Sequence, residues 1–263
     1  CVILEPSSTE CPKINKEDSA CCNLSKCNRN FKKENHFLKQ VELVCKKNNI
    51  VFILDEMITG FRWHLKGAQN FYGVKPDLST FGKAMANGFS VSAVCGKKKI
   101  MELGSITKRK EERVFLLSTT HGAEMSGLAA FTETVKFLKR NNVIKHNWIY
   151  GAKLIREANQ ISKKVGIKDF FYFSGVACSP FFNCLDSKKN NSLEFRTLFI
   201  QEMLNQNILM PWISISYQHN EKTLKITLLA LEKALIVYKK ALKYGVKKFL
   251  KGHTIKPVFR RYN

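Results

Sequence analysis

Ile50-Val51-Phe52-Ile53-Leu54-Asp55-Glu56 is an unbroken apolar run that stops on two carboxylates. A strand exposed on one face alternates apolar and polar residues; a run apolar at every position suits burial on both faces, as in parallel sheets. Upstream, Phe37, Leu38, Val41, Leu43 and Val44 recur at helical spacing, and Asn48-Asn49 supplies a stop. Further back, Cys1-Val2-Ile3-Leu4-Glu5 reads as a buried strand. Strand, helix, strand in that order implies a crossover unit and an α/β fold. Because the first residues read as the middle of a domain, the chain is expected to start partway through one.

The texture around this unit divides the chain. Residues 7–34 carry Pro12, four cysteines and many Lys and Asn, and are read as an irregular insertion. Residues 55–75 are read as loop-rich. Short strands are predicted at Leu78 to Phe81, Val91 to Cys95 and Val114 to Leu117, with a helix from Ser126 to Lys139. Beyond Asn141-Asn142 long amphipathic helices take over, near 146–164, 192–206 and 221–250, with strands near Phe171 to Val176 and Ile213 to Ser216. The domain change is placed at residue 145.

Composition narrows the partners. The 263 residues are 44% hydrophobic, enough for a sizeable core, and no apolar run approaches the length of a membrane span. The net charge of +23 comes mostly from Lys, scattered as pairs such as Lys163-Lys164 and Lys239-Lys240. That pattern reads as solvated helix faces rather than a nucleic-acid stripe, which would interleave Arg with aromatics. Nine cysteines, an odd count in a large chain, argue against a secreted disulfide framework and for a reducing cytoplasm. Cys11, Cys21, Cys22 and Cys27 lack regular metal-knuckle spacing, so no metal is expected.

In open α/β sheets ligands bind at the carboxyl ends of the strands. Three such ends carry polar groups: Asp55-Glu56, Lys83, and Thr119-Thr120. An acid, an amine and a pair of hydroxyls ahead of a helix are what a pyridoxal phosphate site needs. Taken singly each is also an ordinary turn, a surface lysine or a helix cap.

Together they carry a resemblance. Leu54-Asp55-Glu56-Met57-Ile58-Thr59-Gly60-Phe61-Arg62 resembles the hallmark of class III aminotransferases. Pro76-Asp77-Leu78-Ser79-Thr80-Phe81-Gly82-Lys83-Ala84-Met85-Ala86-Asn87-Gly88 resembles that family's cofactor-lysine segment. Ile3-Leu4-Glu5-Pro6 is similar to its preceding strand, Ser118-Thr119-Thr120-His121 to its phosphate-binding segment, and Met210-Pro211-Trp212-Ile213 to the end of its small domain. Within the class the likeness is greatest to glutamate-1-semialdehyde 2,1-aminomutases.

The resemblance implies a partial fold-type-I large domain over 1–145, with a mixed, mostly parallel sheet, and an α+β small domain over 146–263. It implies pyridoxal 5'-phosphate as cofactor, Lys83 as the Schiff-base lysine, Asp55 as the pyridinium partner and Met57 against the ring. Thr119, with Thr120 as fallback, would reach the phosphate. It also implies an amino donor and a carbonyl acceptor as substrates, and a homodimer with shared sites. Arg62, Trp63 and His64 are pocket or packing residues. The family's phosphate loop and ring-stacking aromatic residue have no counterpart here, so weak cofactor retention is expected. A noncatalytic fragment used for dimer contacts or binding, and a Lys-rich nucleic-acid module, are the alternative readings.

Overall fold

Phe52–Asp55 forms β2, the strand at the centre of the decisive run. The structure is a computed structural model that describes residues 1–7, 36–105, 112 and 124–256. The chain divides into two compact units, Cys1–His146 and Asn147–Asn263.

In the first unit β2 pairs in parallel with β1 (Val2–Leu4) on one side and with β3 (Leu78–Phe81) on the other. Strand β4 (Ala93–Gly96) closes the order β1-β2-β3-β4 by running antiparallel to β3. This is the mixed, mostly parallel sheet expected. Phe52 and Leu54 are fully buried. One expectation fails: β1 is not buried, because among the described residues it is an edge strand, and Ile3 is 60% exposed.

Helix α1 (Phe37–Lys47) buries Leu38 and Cys45. Its N-cap is His36, whose Nδ1 accepts from the Lys39 amide at 3.3 Å while Nε2 meets the Tyr72 carbonyl at 2.9 Å. Asp77 ties the sheet at its other end: one carboxylate oxygen accepts from the Phe52 amide at 2.7 Å, the other pairs with Lys97 at 2.5 Å. Burial works to raise the Asp77 carboxyl, but Lys97 and the Phe52 amide outweigh it and hold it below the usual range. The loop read into 55–75 contains a short helix, α2 (Gly67–Tyr72). After α3 (Lys98–Met101), helix α4 (Met125–Arg140) ends the unit. The strand expected at 114–117 lies outside the described residues.

The division between the units falls in the first turn of α5 (Val143–Val165). The second unit contains a hairpin of β5 (Phe171–Val176) and β6 (Ser179–Cys184), flanked in sequence by α5, α6 (Leu193–Leu204) and α7 (Glu221–Tyr244). Its core is aromatic: Phe171 and Phe182 each lie 4.7 Å, centroid to centroid, from Phe199. The buried Tyr238 hydroxyl donates to the Leu185 carbonyl at 2.7 Å. The Asn159 side chain of α5 donates to the Phe173 carbonyl at 2.9 Å and accepts its amide at 2.7 Å, standing in for a missing strand partner. Gly151 lets α5 lie directly on the hairpin turn, since a Cβ there would overlap the Ala177 carbonyl oxygen. The predicted strand near Ile213 to Ser216 is not one. Ile213 and Ile215 are buried, but among the described residues the segment pairs with no strand.

Candidate active site

The two acids that end β2 part company because strand side chains alternate in direction. Glu56 follows Phe52 and Leu54 to the buried side and is fully enclosed. Its Oε2 accepts from Thr59 Oγ1 at 2.6 Å and from the Ala68 amide at 2.7 Å. Its Oε1 accepts from the Gln69 amide at 2.7 Å. Glu56 thus caps α2 and fastens the loop between; burial pushes its carboxyl above the usual range despite these donors. A Cβ at Gly67, where φ is +81°, would strike Glu56 Oε1 at 2.6 Å. Thr59 is fully buried beside it, and Phe61 packs on Phe81 and Phe131 at 5.8 and 5.9 Å. So Glu56, Thr59, Gly60 and Phe61 of the hallmark are engaged in hydrogen bonds and packing that support the strand end.

Asp55 points to the other side. In the parallel ladder it stands opposite Thr80. Its Oδ1 accepts from Thr80 Oγ1 at 3.2 Å and from the Met57 amide at 3.0 Å. Immediately after β3, Gly82 leads into Lys83, which opens a 3-10 turn, Lys83–Met85. Lys83 has φ +43°, a left-handed conformation that non-glycine residues seldom adopt, and its side chain is exposed. Met57 lies against Gly82: a Cβ there would come within 2.3 Å of Met57 Cε and 2.8 Å of Sδ.

Asp55, Met57 and Lys83 therefore sit on adjoining segments at the carboxyl ends of two paired parallel strands, linked through Thr80 and Gly82. Thr119 and Thr120 lie outside the described residues, as do Cys11, Cys21, Cys22 and Cys27. Trp63 is a packing residue, 1% exposed and donating to the Tyr72 hydroxyl at 3.2 Å. His64 takes the Lys66 amide on Nδ1 at 3.0 Å. Glu56 and Thr80 stand within the motifs read from the sequence, but neither is assigned a role of its own there. Strand parity would have separated Glu56 from Asp55, whereas Thr80 becomes visible only once the β2–β3 register is known.

Among known proteins, the family model for class-III aminotransferases matches residues 30–173. The chain belongs to the class-III aminotransferase family. Its likeness to glutamate-1-semialdehyde 2,1-aminomutase of Nitrosopumilus maritimus is 34% identity over 218 residues, 77% of this chain and 48% of that protein. The 3-aminobutyryl-CoA aminotransferase of Cloacimonas acidaminovorans is 30% identical over 209 residues, 78% of this chain and 48% of that protein. Among solved structures, the FumI protein of Sphingopyxis sp. MTA144, in its PLP internal aldimine form, matches with a TM-score of 0.68 at 21% identity, over 79% of this chain and 48% of that one. An S-selective transaminase from Bacillus megaterium gives 0.66 at 18%, over 81% and 48%.

This class-III aminotransferase chain spans about half the length of the curated relatives it matches. Its fold is that of the pyridoxal-phosphate transaminases, and a nucleic-acid module is not favoured. Among the described residues, no helix is long and apolar enough to cross a membrane.

Proposed function

We propose that the protein transfers amino groups between an amino donor and a carbonyl acceptor, or within one molecule, with pyridoxal 5'-phosphate held by Lys83. The observation that carries this reading is the pairing of Asp55 with Thr80 in adjacent parallel strands, which sets an acid and, three residues after Thr80, a lysine at the carboxyl ends of those strands. The residues fit the cofactor. Among the described residues none donates to Asp55 Oδ2, so one carboxylate oxygen is left for a protonated pyridine nitrogen. Lys83 is exposed and reachable.

When bound, pyridoxal phosphate supplies an electron sink for bond breaking at the amino-bearing carbon of the substrate. Asp55 would keep the pyridine nitrogen protonated, and Met57 would pack on the ring. Lys83 would hold the cofactor through Nζ and, once released, carry a proton to or from the substrate carbon. Thr119, or Thr120, would take the phosphate. Residues 1–145 would be the end of the cofactor-binding domain, with 7–34 as an insertion, and 146–263 the small domain. A homodimer with shared sites and a cytoplasmic location complete the proposal; the thiols of Cys45 and Cys184, buried and free, suit a reducing compartment.

The test is spectroscopic. In the protein at its full natural length, added pyridoxal phosphate is expected to give a visible absorption band that Lys83→Ala abolishes. Retention of that band in Lys83→Ala would refute the lysine assignment.

A further inference from the structure

Asp55 has two carboxylate oxygens, and the described residues donate to only one of them. Both donors, Thr80 Oγ1 and the Met57 amide, converge on Oδ1. We propose that Thr80 is a positioning residue: its hydroxyl pins Oδ1 so that Oδ2 faces the pyridine nitrogen of the cofactor. The proposal rests on the assignment of Asp55 and Lys83 given above.

The physical need is clear. The last torsion of an aspartate is broad and soft, so an unpinned carboxylate turns freely about it. A threonine side chain is stiff at χ1, because two heavy atoms branch from Cβ. Thr80 is also fixed by its backbone, standing opposite Asp55 in the ladder, with its carbonyl accepting the Glu56 amide at 2.9 Å. A stiff donor on one strand therefore aims a soft acceptor on the next. The Met57 amide comes from two residues along the same segment, whereas Thr80 donates from the neighbouring strand and so ties Oδ1 to the ladder. Thr80 touches neither substrate nor cofactor in this account and acts through Asp55.

The experiment uses the full-length protein titrated with pyridoxal phosphate, read by the visible band and its pH dependence rather than by turnover. Thr80→Val keeps the shape and the β-branch but drops the hydroxyl. It is expected to weaken cofactor binding about tenfold, the scale of one lost hydrogen bond to a charged group, and to move the pH midpoint of the band. Thr80→Ser, which restores a hydroxyl, is expected to recover both. Thr80→Ala removes the hydroxyl without adding a methyl, and gives the same reading if Val at 80 fails to fold. In an Asp55→Ala background, Thr80→Val should change nothing further. If the wild-type band depends on Lys83 while Thr80→Val and Thr80→Ala match the wild type in affinity and midpoint, the positioning role is overturned and the lysine assignment stands. Thr80→Ser behaving as badly as Thr80→Val also overturns it. If the wild-type band survives Lys83→Ala, the assignment beneath the proposal falls, and the proposal with it.

Discussion

The contact between Met57 and Gly82 can be tested by a substitution whose sign depends on its neighbour. Gly82 has φ −176°, extended backbone open to any residue. Alanine there loses less chain entropy on folding, which by itself stabilises by about 0.4–1 kcal/mol. Against that, the new Cβ would lie 2.3 Å from Met57 Cε and 2.8 Å from Sδ, while the nearest backbone atom, the Val91 carbonyl oxygen, is at an ordinary 3.6 Å. Carbon atoms rest at about 3.5–4.0 Å, so the thioether must swing away, at an overpacking cost of about 1–3 kcal/mol. Gly82→Ala is therefore expected to be destabilising or near neutral in the wild type, and stabilising once Met57→Ala has cleared the space. The coupling between the two sites should be about 1–3 kcal/mol. The assay is urea unfolding followed by Trp63 fluorescence, with Trp148 and Trp212 replaced by Phe. At a slope of about 2 kcal/mol per molar urea, that coupling moves the midpoint by roughly 0.5–1.5 M. An equal effect of Gly82→Ala in both backgrounds would show that Met57 does not lie over the residue before Lys83.

Two further outcomes are expected. Gly151→Ala would put a Cβ 1.7 Å from the backbone oxygen of Ala177, which cannot rotate aside, so a loss of at least about 3 kcal/mol is expected in urea unfolding; Gly252→Ala, with open space around it, is the control, and equal stabilities would contradict the close approach. His36 is pushed below its ordinary value of 6.5, first by burial, so its contribution to stability is complete above that pH and lost as pH falls through the folded-state value; His36→Asn, which keeps a capping side chain without the titration, should flatten the fall in thermal midpoint on acidification, and an unchanged slope would count against it.

Much of the fold was legible in the sequence because local patterns carried it. Helical spacing from Phe37 and the Asn48-Asn49 stop located α1, while Leu78 to Phe81 and Phe171 to Val176 became β3 and β5 as expected. What failed depended on partners distant in sequence. Ile213 and Ile215 alternate with polar neighbours and are buried. Alternation reports which side chains go inside, however, and not whether the backbone finds a ladder. Strand β6 was missed because Ser179, Pro180 and Asn183 dilute its apolar content, and only its pairing with β5 makes it a strand. Helix α2 starts where it does because Glu56, far behind in sequence, caps it.

The candidate site divides along the same line. Asp55 and Lys83 were legible as residue types at strand ends, which is a local property. Their relation depends on the β2–β3 register, and a slip of one residue would turn Asp55 inward and Glu56 outward. That register is held by groups whose roles are invisible in a linear reading: Asp77 bonds the Phe52 amide, and Glu56, locked by three donors, cannot exchange sides with its neighbour. The buried glutamate and the outward aspartate thus form one device. The first fixes the direction of the strand end, and that fixed direction gives the second its aim.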